Sequence, residues 1–369
     1  MQANTSSRKQ AALLAKKQLD ARFFKKGLTI AILSGMCYGL YSAFLTLAMD
    51  SGIWAQWMDP AVSILSVFVV TYMLGALGSA VNNTISAVWC LLVAGVQGKL
   101  GDFFRTIKTK PGLVMCAAAL IGGPVASTAY VVALQMAGSI IIPIAALCPA
   151  IGAILGRVLY KQELNGRMLL GIGICFGASL MIASTSLGSD APEGLALGLA
   201  IGLIAALGWG IEGCVAGYGT SMIDYQIGIA IRMLVSGLSN LIILVPIFGL
   251  VAGGGLGLSG QLIAQALTDG PSLIWFAVSG MFAMFAYSLW YKGNSMCGAA
   301  LGMACNGAFS FWGPFFCWIV LGVVCGRPGW AIPPIGWAAA IVMVVGILVI
   351  AMNPLELFKR REATQDAAA

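Results

Sequence analysis

Along the chain, runs of apolar residues alternate with short polar or Gly- and Pro-rich breaks, and ten of these runs have the length of a membrane span. They cover 27-49, 64-97, 112-134, 139-160, 166-186, 194-218, 226-252, 271-292, 297-325 and 333-353. A helix needs about 20 apolar residues to cross roughly 30 Å of hydrocarbon. The pattern predicts an all-α membrane protein of ten transmembrane helices. The second run is longer than one span needs and carries Asn82 and Asn83 in its middle, so it reads as one long tilted helix or as a hairpin of two.

Positive charge chooses between these. Cytoplasmic loops collect Lys and Arg. With ten spans and the N-terminus inside, 18 of the 20 Lys and Arg residues fall in cytoplasmic segments; of the others, Arg327 lies outside and Arg232 within a span. An eleventh helix near 60-100 would put most of these charges on the wrong side. The expectation is a multi-pass protein of the cytoplasmic membrane with both termini cytoplasmic. Residues 1-26 form a basic tail suited to acidic lipid, and 354-369 form a second tail. The first run is longer than the apolar core of a signal peptide and no small-residue cleavage site follows it, so it is expected to stay.

Composition narrows the function classes. Of 369 residues, 60% are apolar and 9% charged, against roughly 25% charged in a typical soluble domain, and the mean hydropathy is +0.94. A soluble fold, a disordered chain and a nucleic-acid binder are excluded, and the net charge of +7 is a topology signal. The absence of histidine removes His-based triads, metal sites and proton relays. The ten cysteines lack C-x-x-C spacing and read as small packing residues. No phosphate-binding loop, nucleophile elbow or metal-ligand pattern is present, and Gly253-Gly254-Gly255 follows no strand. No cofactor, no metal, no ATP and no enzymatic reaction are expected.

The chain also repeats itself. A shift of 171 residues lays 27-42 over 198-213, so that Gly27, Leu28, Ile30 and Gly39 recur as Gly198, Leu199, Ile201 and Gly210, and Tyr38 meets Trp209. A shift of 160 matches Met73-Leu74 with Met233-Leu234, Pro111 with Pro271 and Tyr130 with Trp290. The units are 27-186 and 194-353, each with five spans. An odd number of spans inserts the second copy upside down, and inverted repeats are a mark of secondary transporters, whose substrate binds at the midplane between the halves.

The five-plus-five plan and the segment 133-183, with the Pro149 helix, the Lys161-Gln162-Glu163 loop and a Gly-rich fifth span, resemble the EamA-type domain of the drug/metabolite transporter superfamily. In the ninth span the likeness is loose, since Gly326-Arg327-Pro328 replaces the usual acidic loop. The resemblance implies a ten-helix carrier of small organic solutes.

Glu212 and Arg232 are the two charges well inside spans, and such charges usually face the bundle interior. Counted from the turn near Ser221, both lie roughly 14-16 Å deep at 1.5 Å per residue, so they can pair. They form either a structural ion pair or a binding site. In the second case Arg232 holds a carboxylate or phosphate, and Glu212 receives an amine or carries a coupling proton. Among the aromatic residues, which include Tyr38, Tyr72, Trp89, Trp290, Tyr291 and Trp312, the pocket-wall candidates are Tyr41, Tyr130, Trp209 and Tyr287. Tyr41 and Tyr72 occupy the repeat positions of Glu212 and Arg232. Asn82, Asn83, Gln135, Asn306 and Ser310 supply hydrogen bonds to a substrate or between helices. Pro124, Pro143, Pro149 and Pro314 can kink helices. The substrate-binding set is thus Glu212, Arg232, Tyr41, Tyr72, Trp209, Tyr130, Tyr287 and Asn306. The expected function is secondary transport of a small amino- or carboxyl-bearing metabolite, with protons as a coupling ion, by a monomer or homodimer. A channel or lipid-translocating protein is the alternative.

Overall fold

The computed structural model describes residues 2–59, 61–137, 141–145, 147–161, 165–184, 195–297 and 299–351. The tail 354-369, the junction at 186-194 and the loop residues Gln162 and Glu163 lie outside them, as do the side chains of Gln135, Pro143 and Pro149. The helices are α1 (Gln2–Met49), α2 (Gly52–Met58), α3 (Leu74–Val96), α4 (Leu100–Thr106), α5 (Lys110–Leu120), α6 (Thr128–Ala137), α7 (Ile141–Ala145), α8 (Cys148–Tyr160) and α9 (Gly166–Ser184). They continue with α10 (Leu195–Met222), α11 (Tyr225–Ser239), α12 (Val245–Val251), α13 (Gly255–Thr268), α14 (Gly270–Cys297), α15 (Ala299–Asn306), α16 (Phe309–Cys317) and α17 (Pro334–Ala351). Wider π-helical turns join several of them, at Val69–Met73 before α3, Ile121–Ser127 between α5 and α6, Asn240–Leu244 between α11 and α12, and Trp318–Val324 after α16. No strand occurs among the described residues.

Six helical stretches are long and apolar enough to cross a membrane: Arg22–Met49, Val69–Val96, Lys110–Ala133, Leu195–Ala216, Tyr225–Val251 and Gly270–Cys297. The other four predicted runs hold shorter apolar helices, Ala150–Tyr160, Gly166–Met181, Phe309–Val324 and Pro334–Ile347. The ninth is cut by the step from α15 to α16 at Gly307 and Ala308.

The stretch with two readings is one uninterrupted helical span, Val69–Val96. Its midpoint asparagines are taken up by neighbouring helices without breaking it: Ser279 Oγ of α14 donates to Asn82 Oδ1 at 2.8 Å, and Arg232 Nη1 of α11 reaches Asn83 Oδ1 at 3.5 Å. The basic tail is helical: α1 runs from Gln2 through the first span without interruption. Local chemistry starts the shorter elements. Thr109 Oγ1 accepts from the Gly112 N–H with Pro111 in the first turn of α5, and Asp224 accepts from the Gln226 N–H at the head of α11, the usual N-cap device.

The helices associate in a definite set of pairs. α1 lies along α14 and also meets α15 and α16; α10 lies along α5, α6 and the turn between them, and also meets α8. α3 packs on α11, α9 on α17, and α8 on α15. Glycines allow the closest approaches: a Cβ on Gly39 would fall 2.6 Å from Trp312, and one on Gly208 would fall 2.6 Å from the Ala126 methyl.

Candidate functional site

A cavity of about 670 Å³ lies among these helices. Its outer part is bounded by Met49 and Asp50 at the end of α1, Met58 of α2, and the segment Gly329 to Pro333 that leads into α17. Its inner part is walled by Tyr38 and Tyr41 of α1, Ser79 and Asn83 of α3, Ser127 and Tyr130, Trp209 of α10, Tyr287 of α14, and Phe309 and Ser310 of α16. At the mouth, Arg327 pairs with Asp50.

The rings of the inner wall form two groups. Tyr38 stands 4.6 Å from Phe309, 5.0 Å from Tyr41 and 5.9 Å from Tyr287, while Tyr130 stands 5.0 Å from Trp209. Beyond Tyr287 the interior is filled: Trp290 and Tyr291 continue α14 into a core containing Met115, Ile227 and Met303. At that end Lys99 Nζ donates to Asp224 Oδ2 at 2.8 Å, and the Lys292 ammonium sits 4.7 Å from the Tyr225 ring centre. The cavity is thus closed on the side away from Asp50.

Four of the eight expected binding residues, Tyr41, Tyr130, Trp209 and Tyr287, line this space, and the other four do not. Tyr72 turns to Phe68, ring centres 5.0 Å apart. Asn306 is buried beside α1, where its Nδ2 donates to Ser34 Oγ at 2.6 Å, which in turn donates to the Ala286 carbonyl at 2.8 Å. Glu212 and Arg232 are both 0% exposed.

The two charges do pair. Arg232 Nε donates to Glu212 Oε1 at 2.8 Å, and Tyr291 Oη donates to the same oxygen at 3.1 Å. Arg232 Nη1 reaches Asn83 Oδ1 at 3.5 Å, and its guanidinium carbon lies 4.1 Å from the Tyr287 ring centre. The pair therefore stands behind the aromatic wall, one residue removed from the space a solute would fill. Glu212 Oε2, Arg232 Nη2 and Trp290 Nε1 are buried without a hydrogen-bond partner among the described residues.

Glycine makes room for the carboxylate: a Cβ on Gly122 would sit 1.8 Å from Glu212 Oε2, and one on Gly123 would sit 2.2 Å from Ser236 Oγ. Both belong to the π-helical turn that carries Pro124. Proline removes a backbone donor, and Ser236 Oγ donates to Ala119 O, five residues before it, at 2.9 Å; within the turn, Ser127 Oγ and Trp209 Nε1 both reach Gly122 O, at 2.8 and 3.2 Å. The turn thereby fixes the Trp209 ring in the wall.

Several wall residues fall outside the expected eight. Tyr38 is one helical turn from Tyr41, and Asn83 and Ser310 carry the polarity of a buried site. Phe309 has nothing in its type or spacing that separates it from a lipid-facing phenylalanine.

No protein-family model and no curated protein matches the chain. Solved structures do share its fold, 20 matching chains among them. One of them, described as "Crystal structure of protein", superposes with a TM-score of 0.56 over 87% of this chain and 98% of its own, at 15% sequence identity. The likeness extends to the fold and no further.

Proposed function

We propose that this protein is a secondary transporter of a small organic solute, of the drug/metabolite transporter type, working by alternating access between two inverted five-helix halves in the cytoplasmic membrane. The observation that carries the reading is the cavity of about 670 Å³, to which helices of both halves contribute and which is closed at one end. Ligand sites commonly have volumes of roughly 300–1,000 Å³ with mostly apolar and aromatic walls.

The helix pairs support the two-half plan. Exchanging the halves turns the α1–α14 contact into the contact of α10 with α5 and α6, and turns the contact of α1 with α15 into that of α10 with α8. The same exchange returns α3–α11, α9–α17 and α8–α15 to themselves. On this reading the four short apolar helices complete the ten spans, and the structure stands with its cavity open toward Asp50.

Glu212 and Arg232 act as positioning residues. They hold Tyr287 from behind, through a guanidinium already committed to a carboxylate. Proteoliposomes test the transport reading: it requires saturable counterflow of a solute found to bind the purified protein. Flux that rises linearly with concentration, without exchange, would assign the chain to the channel-like class instead.

A further inference from the structure

The wall of the cavity carries almost no charge. Among the described residues that line it, Asp50 is the one side chain formally charged at neutral pH; it sits at the mouth and is paired with Arg327. The inner end offers ring faces and neutral hydroxyls. The Trp209 indole N–H is engaged by the Gly122 carbonyl, so this residue presents its ring. The phenols of Tyr41 and Tyr130 carry no side-chain hydrogen bond among the described residues and remain as donors and acceptors at the wall.

The nearby buried charges leave the cavity neutral. Arg232 and Glu212 neutralise each other at 2.8 Å and are 0% exposed. A solute carboxylate reaching for Arg232 would meet Tyr287 in front of it and Glu212 on its Nε. A solute amine reaching for Glu212 would find Oε1 taken by two donors and Oε2 packed on Gly122. An ion taken out of water into the inner end of this space meets no charged lining residue, and an uncompensated charge in an apolar site is far more costly than a hydrogen-bonded neutral group.

We propose that the cavity binds an uncharged, ring-bearing solute whose hydroxyl, carbonyl or amide groups meet the phenols of Tyr41 and Tyr130 while its ring packs against Trp209 and the Tyr38–Tyr287 wall. This rests on the reading of the cavity as the solute site, and it replaces the amino- or carboxyl-bearing substrate expected from the intramembrane charges. Offset and edge-on ring contacts favour such a ligand.

The test uses the full-length protein in detergent and matched neutral and charged probes: 4-hydroxybenzamide against 4-hydroxybenzoate, benzyl alcohol against benzylamine, and uridine against uridine 5′-monophosphate, with Kd from equilibrium dialysis. In at least one pair the neutral member binds, and wherever binding occurs it binds at least about tenfold more tightly than its charged twin. Tyr130→Phe, which keeps the ring, weakens binding of the neutral member. The proposal is overturned if a charged twin binds as tightly as its neutral partner, if no neutral probe binds, or if Tyr130→Phe has no effect. Cation binding that disappears in Asp50→Asn would assign the cavity to organic cations instead. Neutral probes that bind but show no saturable counterflow in proteoliposomes would sink the transport reading and leave the ligand class standing.

Discussion

The guanidinium of Arg232 lies 4.1 Å from the centre of the Tyr287 ring while its Nε is bonded to Glu212, so an ion pair that no solvent reaches props up a ring that solvent does reach. Removing one member of a buried pair leaves the other charge uncompensated, at a cost of about 3–5 kcal/mol, whereas replacing both by apolar groups is often close to neutral. Arg232→Leu and Glu212→Leu should therefore each lower the thermal unfolding temperature sharply in detergent, and the double variant should recover most of the loss. A single variant as stable as the parent would show that the pair is not what holds this region.

Gly122 is a second test of the same geometry. Alanine there would place a methyl group 1.8 Å from the Glu212 carboxylate. Overpacking of this kind costs about 1–3 kcal/mol, so Gly122→Ala should unfold at lower temperature. Gly173→Ala in α9, where a Cβ meets nothing within 4 Å, should be neutral or slightly stabilising because alanine favours helix. Equal behaviour of the two variants would contradict the close contact.

At the closed end, pH dependence follows from Lys99 and Asp224. Partial burial alone would raise the Asp224 carboxyl, but the Lys99 ammonium and the Gln226 N–H outweigh it and hold its pKa below the usual carboxylate value. The hydrogen bond to Asp224 in turn raises Lys99. A lowered carboxylate adds stability above its unfolded pKa of about 3.9 and loses it as pH falls through the folded value; a raised ammonium adds stability below about 10.4 and loses it as pH climbs through the folded value. Asp224 also caps α11, so Asp224→Ala should cost about 1 kcal/mol at neutral pH, and Lys99→Ala only a few tenths, as expected of an exposed pair at about 0.2–1 kcal/mol. In melts taken across pH, the Asp224→Ala deficit should narrow in acid. A deficit that widened there would refute the assignment.

Topology can be read from one thiol. Cys325, directly after the helical turns of the ninth predicted span, is exposed, while Cys317 one segment earlier is buried. In the ten-span arrangement this loop faces outward. A membrane-impermeant maleimide added to intact cells should label the wild type, and Cys325→Ser should remove that signal. Labelling that appears only after the cells are opened would place the loop inside and overturn the ten-span plan.

What is legible in the amino-acid sequence follows from short-range physics. Apolar runs mark helices at 27-49 or 271-292 because a chain in hydrocarbon must satisfy its backbone within each segment. Glu212 and Arg232 are expected at one depth because helical rise converts residue number into distance, and they are bonded. Tyr41, Tyr130, Trp209 and Tyr287 are identifiable as wall residues, since large rings with a polar edge are unusual deep in a lipid-facing span.

Residue order does not say which way each side chain faces. An aromatic or amide in a span has lipid, another helix or a cavity as its possible surroundings, and helix rotation decides among them. Rotation is set by contacts between segments distant in the chain, such as Gly122 with Glu212 or Asn306 with Ser34. Tyr72 and Asn306 are therefore absent from the cavity while Phe309 is present. The chain by itself determined an all-helical fold with helices long and apolar enough to cross a membrane, and brought Glu212 and Arg232 within reach of each other; tertiary packing alone decided that those charges stand behind the wall, because a buried carboxylate binds the nearest donors, and here Arg232 and Tyr291 are already in reach.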